Sequence, residues 1–468
     1  MGIPDGDSMS TSPSKIVLDY TLRDLYSLDG GLDQDVVLIH GMPDAKVQLT
    51  SSIPLSEKFS YQSPLSKAEN KDTLARLMLN VVPQVFGSIA GKMPVTMFRI
   101  DEIASAPNGA PRPPCPIYQT DAFRTFAQMS QVPDLCFISG PQDVKIHPGA
   151  KIAVAHPMDC LLHLPHTVDP EIHYGLLSKT NLAFCSLPSP TSEVINTNLQ
   201  PSQLKDMHLL DGEVKRMVDS VLKRNLPFVI KLPLAVLGQG VFIIRAEPDR
   251  QAAVKVLRSE LRTMLQQLND SNLHMRPSSL VIQEFIPGES VSISLFITRK
   301  GRAVFTSCCK QITDSSGNWG GAFISYREQA RLQHAYAGTI ETLARFLHEK
   351  GYYGPMGADV MTDREGRQLI IDLNMRVTGS HPLGFLKTHF SERGLHEAVV
   401  LFPLMLRCNR EVFERAFESE YRDRSLVVNG WCHSQGREFS ITSITLAAPD
   451  SEKLANFIDR VNACRLGE

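Results

Sequence analysis

The sequence predicts a mixed α/β protein of about three domains, and three observations support this prediction. The chain has 468 residues, and one domain typically takes about 150. Strand-like and helix-like stretches alternate up to about residue 177 and again, more sharply, from about residue 207. Residues 358–374 read as a β-hairpin, with a turn at 363–366. Together these patterns indicate two α/β regions in sequence, followed by a C-terminal strand and helix.

The N-terminal region begins with a segment rich in Ser, Pro, Gly and Asp, residues 1–15, which we expect to be a mobile tail. Buried-strand and amphipathic-helix patterns then alternate, interrupted by a Pro-rich loop at 107–116. The predicted strands are 36–40, 94–100, 135–138 and 152–155, and the predicted helices are 73–89 and 120–130.

The second region carries longer and clearer elements. Its helices are predicted at 211–225, 252–268 and 328–350, where apolar residues recur at helical spacing. Short apolar strands are predicted at 227–231, 241–245 and 279–286, with two more between 291 and 310. A strand at 439–447 and a helix at 451–464 end the chain.

Composition and charge exclude several classes of protein. The 48 basic and 50 acidic residues nearly cancel, whereas a nucleic-acid binder needs a basic excess. The densest apolar stretch, residues 398–406, is nine residues long, far short of the roughly 20 that span a bilayer. The nine scattered cysteines form no CxxC pair, which indicates reduced thiols. We therefore expect a cytoplasmic enzyme with no nucleic-acid or membrane partner and no secretory signal.

The predicted hairpin is the most informative stretch. Because strand side chains alternate between faces, one face should be apolar and carry Leu369, Ile371 and Leu373. Asp372 and Asn374 should share the other face, with Asp359 of the partner strand diagonally across from Asp372 if the register is even. Two carboxylates about 4 Å apart repel by roughly 4 kcal/mol at an effective dielectric constant near 20. These residues therefore suggest a Mg²⁺ site, and the alternative is a pair of solvated acids on an exposed sheet face.

A lysine and a glycine-bearing loop precede the hairpin. Lys231 ends an apolar strand, where a lysine is uncommon unless it is paired. The loop VLGQGVF, with Gly238 and Gly240, follows; glycines allow the backbone to approach a phosphate closely. The stretch matches neither the Walker pattern nor GxGxxG, so a plain hairpin turn is an equal alternative.

Five stretches in order give the chain a specific resemblance. They are SKTNLA with PSPTSEVI (178–195), VIKLPLAVLGQGV (229–241), VIQEFIPGESVSISLF (281–296), GYYGPMGADVM (351–361) and IIDLNMRVTGSHP (370–382). In this order the chain resembles the ATP-grasp superfamily over roughly residues 178–385. The flanking segments are similar, more loosely, to those of amino-acid and peptide ligases.

The resemblance implies an ATP-grasp fold with an N-terminal α/β pre-ATP-grasp domain and a small C-terminal segment. The implied divisions are a tail at 1–15, an N-terminal domain at 16–177, a small lid subdomain at 178–288, a large catalytic subdomain at 289–400 and a C-terminal segment at 401–468.

The resemblance also implies how ATP is held. Lys179 and Lys231 look like the two lysines that hold the phosphates, and Gly238 and Gly240 would lie in a mobile loop over the γ-phosphate.

The stretch 283–286 looks like the linker that recognises adenine through the backbone edges of residues such as Glu284 and Ile286. In it, Gln283 reaches the exocyclic amine. Glu289 is the best match for the ribose contact, with Ser290 as its rival.

The metal and phosphoryl-transfer groups follow from the last two stretches. Asp359, Asp372 and Asn374 match the magnesium triad, with Asp372 standing where Glu is commonest. Arg376 resembles the arginine that stabilises the transferred phosphoryl group. Position 357, an arginine in some relatives, is glycine here, and Lys310 is a candidate to supply the missing charge.

The implied activity is that of an ATP-dependent ligase that uses ATP with Mg²⁺, or Mn²⁺ in its place. It would convert a carboxylate into an acylphosphate and join it to an amine, releasing ADP and phosphate. We expect small-molecule substrates such as amino acids or short peptides. The alternatives are an ATP-grasp kinase acting on a hydroxyl and a non-catalytic ATP-binding scaffold.

Several histidines and one tryptophan are weaker candidates. His156, His163, His166 and His173 do not have zinc-ligand spacing, and we expect them to be exposed or hydrogen-bonded. His381 is better placed to meet a substrate. Residues 318–321, which include Trp319, either shape an acceptor pocket or form a tight turn with a packing tryptophan.

Overall fold

The computed structural model describes residues 14–29, 35–41, 56–62, 71–98, 117–235, 240–313, 319–434 and 438–466. Within them the chain forms three β-sheets of four, four and eight strands. Of the N-terminal tail expected at residues 1–15, residues 1–13 lie outside the described residues.

The first sheet is parallel and belongs to the N-terminal region. Its strands are β1 (Val36–His40), β2 (Pro94–Phe98), β3 (Asp134–Ile138) and β4 (Lys151–Val154). Their order is β3-β2-β1-β4, and every pairing is parallel. All five residues of β1 are buried, as expected for a central parallel strand covered on both faces. The helices of this region are α1 (Leu22–Tyr26), α2 (Lys71–Gly87) and α3 (Ile117–Ala127).

The second sheet is antiparallel and carries two long helices on one face. Its strands are β5 (Ser192–Ile195), β6 (Phe228–Lys231), β7 (Val241–Ile244) and β8 (Leu280–Glu284), in the order β5-β8-β6-β7. Two short helices, α4 (Pro170–Leu177) and α5 (Lys179–Phe184), lead into this sheet. The long helices are α6 (Met207–Leu222) and α7 (Glu247–Gln266), whose apolar stripes share one core cluster with β6 and β8.

The third sheet is antiparallel, has eight strands and contains the predicted hairpin. Its order is β13-β12-β9-β10-β11-β14-β16-β15. The strands are β9 (Ser290–Ile297), β10 (Ala303–Thr313), β11 (Trp319–Ser325), β12 (Gly354–Thr362), β13 (Gln368–Asn374), β14 (Glu397–Leu406), β15 (Leu426–Ser434) and β16 (Phe439–Ala448). The division expected at residue 400 falls inside β14, and the C-terminal strands β15 and β16 continue the third sheet.

The remaining helices cover the third sheet. They are α8 (Gln329–Ala335), α9 (Ala337–Glu349), α10 (His381–Phe385), α11 (Lys387–Ser391), α12 (Arg410–Ala416), α13 (Glu418–Asp423) and α14 (Ser451–Asn462). The single helix predicted at 328–350 is two helices, which meet at Tyr336. In the part of the chain that the structure describes, no helix has the length and apolar character needed to cross a membrane.

Two cores meet at the third sheet. One face packs on α9 through Ile293, Ala358 and Val360, while the other face contributes Phe296 to a core shared with α2 and β1. The N-terminal region therefore covers part of the face of the third sheet that carries the predicted metal-binding residues.

Candidate active site

The two predicted metal-binding acids lie directly opposite each other. Asp359 of β12 pairs with Asp372 of β13, and Gly357 pairs with Asn374. Because directly paired residues share a face of the sheet, the three predicted ligands lie on one face. The two acids are thus directly paired across the hairpin, whereas the sequence predicted that they would lie diagonally from each other.

The pairing shifts register immediately beyond Asp359, and this corrects the expected apolar face. Val360 pairs with Ile370, which leaves Ile371 without a partner on β12. The core side chains of β13 are accordingly Ile370 and Leu373, both buried in the core cluster that includes Val360. The prediction that Leu369, Ile371 and Leu373 share the apolar face is wrong, because the extra residue changes the alternation.

Asp359 is the most strongly perturbed acid of the site. Burial, followed by the nearby charge of Asp372, raises its pKa to about 6, although hydrogen bonds from Gln311 and Ser292 oppose the rise. Its Oδ1 atom is buried and has no hydrogen-bond partner among the described residues. A buried carboxylate oxygen of this kind is costly unless a cation or a donor meets it.

Two lysines reach this carboxylate pair from outside the third sheet. Lys179, the first residue of α5, places its Nζ atom 3.2 Å from Oδ1 of Asp372. Lys231, the last residue of β6, donates to the carbonyl oxygen of Ile371 at 2.5 Å. Burial lowers the pKa of Lys231 to about 8, despite the opposing effect of Asp372. The bulged residue therefore supplies the acceptor for one of the two predicted phosphate-binding lysines.

Arg376 lies just beyond the hairpin and points toward the N-terminal region. Its backbone N–H donates to the carbonyl oxygen of Asn374 at 2.8 Å, which forms a tight turn. Its side-chain Nε–H donates to Nε2 of His156 at 3.4 Å. Burial lowers the pKa of Arg376, while Asp372 and Asp359 oppose this shift. The guanidinium is thus fixed between the acids and the first sheet.

Sequence reasoning missed two histidines that hold this arrangement. His156 contacts Arg376, and Nε2 of His173 donates to the carbonyl oxygen of Met375 at 2.7 Å. Both are buried, whereas His163 is exposed and His166 is half-buried with Nδ1 bonded to the Leu164 carbonyl. The only sequence signal was the concentration of histidines at 156–173, which does not show which of them face inward.

The donor set at the hairpin fits a hard divalent cation. It offers two carboxylates and one amide oxygen, the ligand types that suit Mg²⁺ when water and phosphate complete the shell. The Oδ1 atom of Asp359 is a buried acceptor without a partner among the described residues, which a bound cation would satisfy. Over the described residues there is no cluster of three or more His, Cys, Asp or Glu that could hold a metal ion.

The glycine loop is only partly described. Gly238 lies outside the described residues, whereas Gly240 lies immediately before β7 with a positive φ of 76°. The Gly240 carbonyl accepts from the backbone N–H of Leu232, so the loop closes directly next to Lys231. A Cβ atom at position 240 would lie 2.5 Å from that of Ala235. Glycine is therefore required at Gly240 both by its backbone angle and by its surroundings.

The predicted adenine linker lies at the end of β8. Gln283 is buried and donates through Nε2 to the Ser192 hydroxyl at 3.1 Å. The backbone N–H of Glu284 already donates to the Thr191 carbonyl at 2.8 Å, while its side chain is exposed. Ile286 is buried, two residues beyond the strand. The adenine contacts of these residues stay predictions. For the backbone N–H of Glu284 to donate to adenine, its hydrogen bond to the Thr191 carbonyl would have to break.

Lys310 and Glu289 lie apart from the groups around Asp359. Lys310 pairs with Val291, whereas Asp359 pairs with Ser292, so the two side chains leave opposite faces of the sheet. The Lys310 Nζ atom is 3.8 Å from Oε2 of Glu289, and both side chains are exposed. The structure thus does not bring Lys310 to the acids because strand side chains alternate.

His381 and Trp319 have structural partners. His381 is fully buried and accepts at Nδ1 from the backbone N–H of Thr378 at 2.9 Å. Trp319 packs over Gly379, where a Cβ atom would lie 2.3 Å from its ring. Both residues therefore stabilise the turn at residues 378–381, which follows Arg376. For Trp319 this contact favours the packing tryptophan over an acceptor pocket, and for His381 it is a structural role.

Comparison with known proteins identifies the central part of the chain. The sequence model of the ATP-grasp domain family matches residues 219–380, which include β6, β7 and the whole β12–β13 hairpin. Residues 219–380 are an ATP-grasp domain. ATP with Mg²⁺ is its cofactor, and the donor set at Asp359 and Asp372 fits that ion. No curated protein sequence matches the chain.

The chain is similar, at low identity, to several solved structures. An ADP complex of the N5-carboxyaminoimidazole ribonucleotide synthetase PurK is 11% identical, covers 92% of this chain and 96% of its own, and has a TM-score of 0.48. The N5-carboxyaminoimidazole synthetase of Staphylococcus aureus is 10% identical, with coverages of 92% and 97% and a TM-score of 0.47. The biotin carboxylase of Campylobacter jejuni is 11% identical, with coverages of 67% and 70% and a TM-score of 0.40. Similarities at this level say nothing about the substrates of this chain.

The ATP-grasp match covers some site residues and omits others. It includes Lys231, both acids and Arg376, but begins well after Lys179, His156 and His173. The contributions of α5 and the N-terminal region to the site are therefore known only from the geometry of this chain.

Proposed function

We propose that this ATP-grasp enzyme activates a carboxylate as an acylphosphate and joins it to an amine. A carboxylate oxygen would attack the γ-phosphorus of ATP, the bond to the β-phosphate oxygen would break, and ADP would leave. The amine would then attack the acyl carbon, phosphate would leave, and the nitrogen would lose a proton to form the amide.

One observation carries the proposal: cationic groups converge on the facing acids. The Nζ atom of Lys179 lies 3.2 Å from Oδ1 of Asp372, and Lys231 donates to the carbonyl oxygen of Ile371. The negative charges of Asp372 and Asp359 favour the charged form of Arg376. Phosphoryl transfer depends mainly on positioning and on neutralising charge on the phosphoryl oxygens. A protein that only binds nucleotide has no need of this concentration of charge.

Each of these groups has a distinct part in the proposed reaction. Asp359, Asp372 and Asn374 would hold Mg²⁺, which supplies the charge that draws the terminal phosphoryl group away from ADP. The two lysines would exchange their present partners for phosphate oxygens. Arg376, which donates a hydrogen bond to His156, would stabilise the negative charge on the phosphoryl group during its transfer. Burial at this position excludes water, which would otherwise hydrolyse the acylphosphate.

We expect small acids and amines, such as amino acids or short peptides, because the cavity against Arg376 is small. The expected cytoplasmic location stays a prediction from the sequence.

Hydroxylamine trapping tests the proposal. The protein is incubated with ATP, Mg²⁺, hydroxylamine and one acid at a time from a panel of amino acids and simple carboxylic acids. A ligase forms a hydroxamate in step with ADP, detectable by mass spectrometry, and a subsequent amine screen identifies the acceptor. The Asp372→Asn variant serves as the inactive control.

Two outcomes would contradict the ligase proposal. A phosphorylated product that is stable to hydroxylamine would establish a kinase acting on a hydroxyl. Tight ATP binding without any acid-dependent ADP release, unchanged by Asp372→Asn and Arg376→Ala, would establish a non-catalytic scaffold.

A further inference from the structure

The strand order of the first sheet indicates a crevice at its carboxyl edge, near the contact between His156 and Arg376. From β1 the chain adds β2 and β3 on one side of the sheet and then crosses to place β4 on the other. Neighbouring strands whose connections leave in opposite directions open a crevice at their carboxyl ends, where ligands bind in open α/β sheets. His40 ends β1, and His156 follows the end of β4 by two residues. The two histidines therefore stand on either side of this crevice.

Both histidines are buried with unused hydrogen-bonding atoms. His40 is 3% exposed and neither ring nitrogen has a partner in the described part of the chain. His156 is 7% exposed; its Nε2 accepts from Arg376, and its Nδ1 is buried without a partner. Since Nε2 accepts, a neutral His156 ring must carry its proton on Nδ1. The crevice thus holds at least two buried N–H donors that nothing in the described chain accepts.

The surroundings of these donors are positively charged. The charged side chains that act on His156 are Arg376 and Lys179, both cations, and Arg376 also acts on His40. Together with burial, these cations lower the pKa of both rings, which keeps them neutral at pH 7. Neutral donors beside a fixed guanidinium suit an anion that only accepts hydrogen bonds.

The space beside Arg376 is not fully filled. A small cavity lies against the Arg376 side chain and is lined by Leu38 and Ala155, the near neighbours of the two histidines, and by Phe86 and Val377. Most of this lining is apolar. The cavity itself does not touch either histidine ring, but it leaves space on the Arg376 side of β1 and β4, the strands whose carboxyl ends carry the two histidines.

We propose that His40 and His156 bind the carboxylate of the acid substrate beside Arg376. The N–H groups of the two rings donate to one carboxylate oxygen, and the other oxygen faces Arg376 and the metal-binding acids, where the phosphoryl group arrives. This assignment rests on the proposed ligase function, and it names the acid as the substrate held by the N-terminal region. His156 then serves two partners, the substrate through Nδ1 and Arg376 through Nε2.

Formate is the simplest probe of this site, because it is a bare carboxylate. The full-length protein, with its histidines ¹³C-labelled at Cε1, is saturated with Mg²⁺ and ADP and titrated with sodium formate, with sodium chloride at equal ionic strength as reference. Resonances of His40 and His156, assigned by their loss in variants, should shift along a saturable curve with formate and stay unmoved with chloride.

Paired substitutions separate the two roles of His156. His156→Asn keeps an N–H near the position of Nδ1, whereas His156→Gln keeps an acceptor near the position of Nε2. We expect His156→Asn to bind formate within about threefold of the wild type, and His156→Gln and His40→Phe to bind it at least tenfold more weakly. His389, equally buried but on α11, provides the control: His389→Phe should not change formate affinity.

The outcomes distinguish this inference from the ligase proposal. The carboxylate site is wrong if formate leaves both histidine resonances of the wild type unmoved, or if His40→Phe and His156→Gln bind formate as tightly as the wild type while still binding ADP. If formate binds as expected but no acid in the panel yields a hydroxamate, the anion site stands and the ligase function is overturned.

Discussion

Asp359 shows how one residue can favour function over stability. Its carboxylate is buried, faces Asp372, and leaves one oxygen without a partner. Without a cation, burial of the ionised carboxylate destabilises the folded chain, and the raised pKa of Asp359 reflects this effect. The same features give a divalent ion a reason to bind there.

Replacing Asp359 with Asn should therefore stabilise the metal-free protein while removing catalysis. The folded pKa, about 6, lies above the unfolded value of 3.8. The contribution of Asp359 to stability is thus fully present below about pH 4 and is lost as the pH rises through 6. At pH 7.5 we expect the melting temperature of metal-free Asp359→Asn to exceed that of the wild type by about 2–4 °C. Its Mg²⁺-dependent turnover should fall at least a hundredfold.

The control for this substitution lies at the tip of the same hairpin. Glu365 is exposed and forms an ion pair with Arg367, which is exposed as well, so Glu365→Gln should change neither the melting temperature nor turnover. A metal-free Asp359→Asn protein that melts below the wild type at pH 7.5 would show that the carboxylate is satisfied in the folded state.

Lys231 should make nucleotide binding depend on pH. Its pKa in the nucleotide-free chain is about 8 because it is buried, so the side chain loses its charge as the pH rises above that value. Since phosphate favours the charged form, calorimetry should find Mg·ADP bound several times more weakly at pH 9 than at pH 7. In Lys231→Arg, whose guanidinium stays charged, this pH dependence should be absent. Equal affinities of the wild type at the two pH values would argue against a phosphate contact.

At the scale of elements, the register shift between β12 and β13 shapes the site. It leaves Ile371 unpaired on β12, turns Ile370 and Leu373 into the core, and frees the carbonyl that Lys231 uses. The extra residue thus couples the second sheet to the third. No feature of residues 368–374 marks it, because apolar residues occupy 369, 370 and 371 alike.

The β6–β7 connection depends on the backbone of Gly240. In Gly240→Ala the Cβ atom would meet that of Ala235 at 2.5 Å, in addition to the strain of a positive φ. Gly366→Ala provides the matched control, since its φ is also positive but nothing lies within 4 Å of the new Cβ. In urea unfolding we expect Gly366→Ala to cost about 1 kcal/mol and Gly240→Ala clearly more. Gly240→Ala should also weaken ATP binding, which the control should leave intact; equal costs would remove the steric argument.

At the scale of the whole molecule, the C-terminal strands join the N-terminal region to the catalytic sheet. Gln84 of α2 is fully buried and bonds to both backbone groups of Trp431 in β15, donating at 2.8 Å and accepting at 3.0 Å. Arg410 of α12, also buried, donates to the Asp121 carbonyl of α3 at 2.9 Å. These contacts, together with apolar packing, hold the helices of the N-terminal region against the third sheet.

Gln84→Met should test this attachment. The side chains are similar in volume, but methionine leaves the N–H and C=O of Trp431 buried without partners. We expect the free energy of unfolding to fall by roughly 2–5 kcal/mol, measured by urea titration followed by circular dichroism. Gln251→Met on the exposed surface of α7 should change it by less than about 0.5 kcal/mol. A Gln84→Met protein as stable as the wild type would show that the attachment is held by apolar packing alone.

The ATP-grasp fold was implied by the resemblance to that superfamily. The sequence by itself predicted, from local patterns, the main helices and strands of the central region and the hairpin that carries the two acids. These features are local: the apolar periodicity of α6 and α7, the acids flanking one turn, and Lys231 at the end of its strand all lie within short stretches. Physical rules that act over a few residues were enough to find them.

Only the tertiary structure decided what meets these residues from elsewhere in the chain. It showed that Asp359 faces Asp372 directly, that the Lys310 side chain lies on the opposite face of the sheet, and that His156 contacts Arg376. His156 and Arg376 are 220 residues apart, and no local pattern records a contact over such a distance. Their meeting depends on the packing of one sheet against another, which is a property of the whole fold.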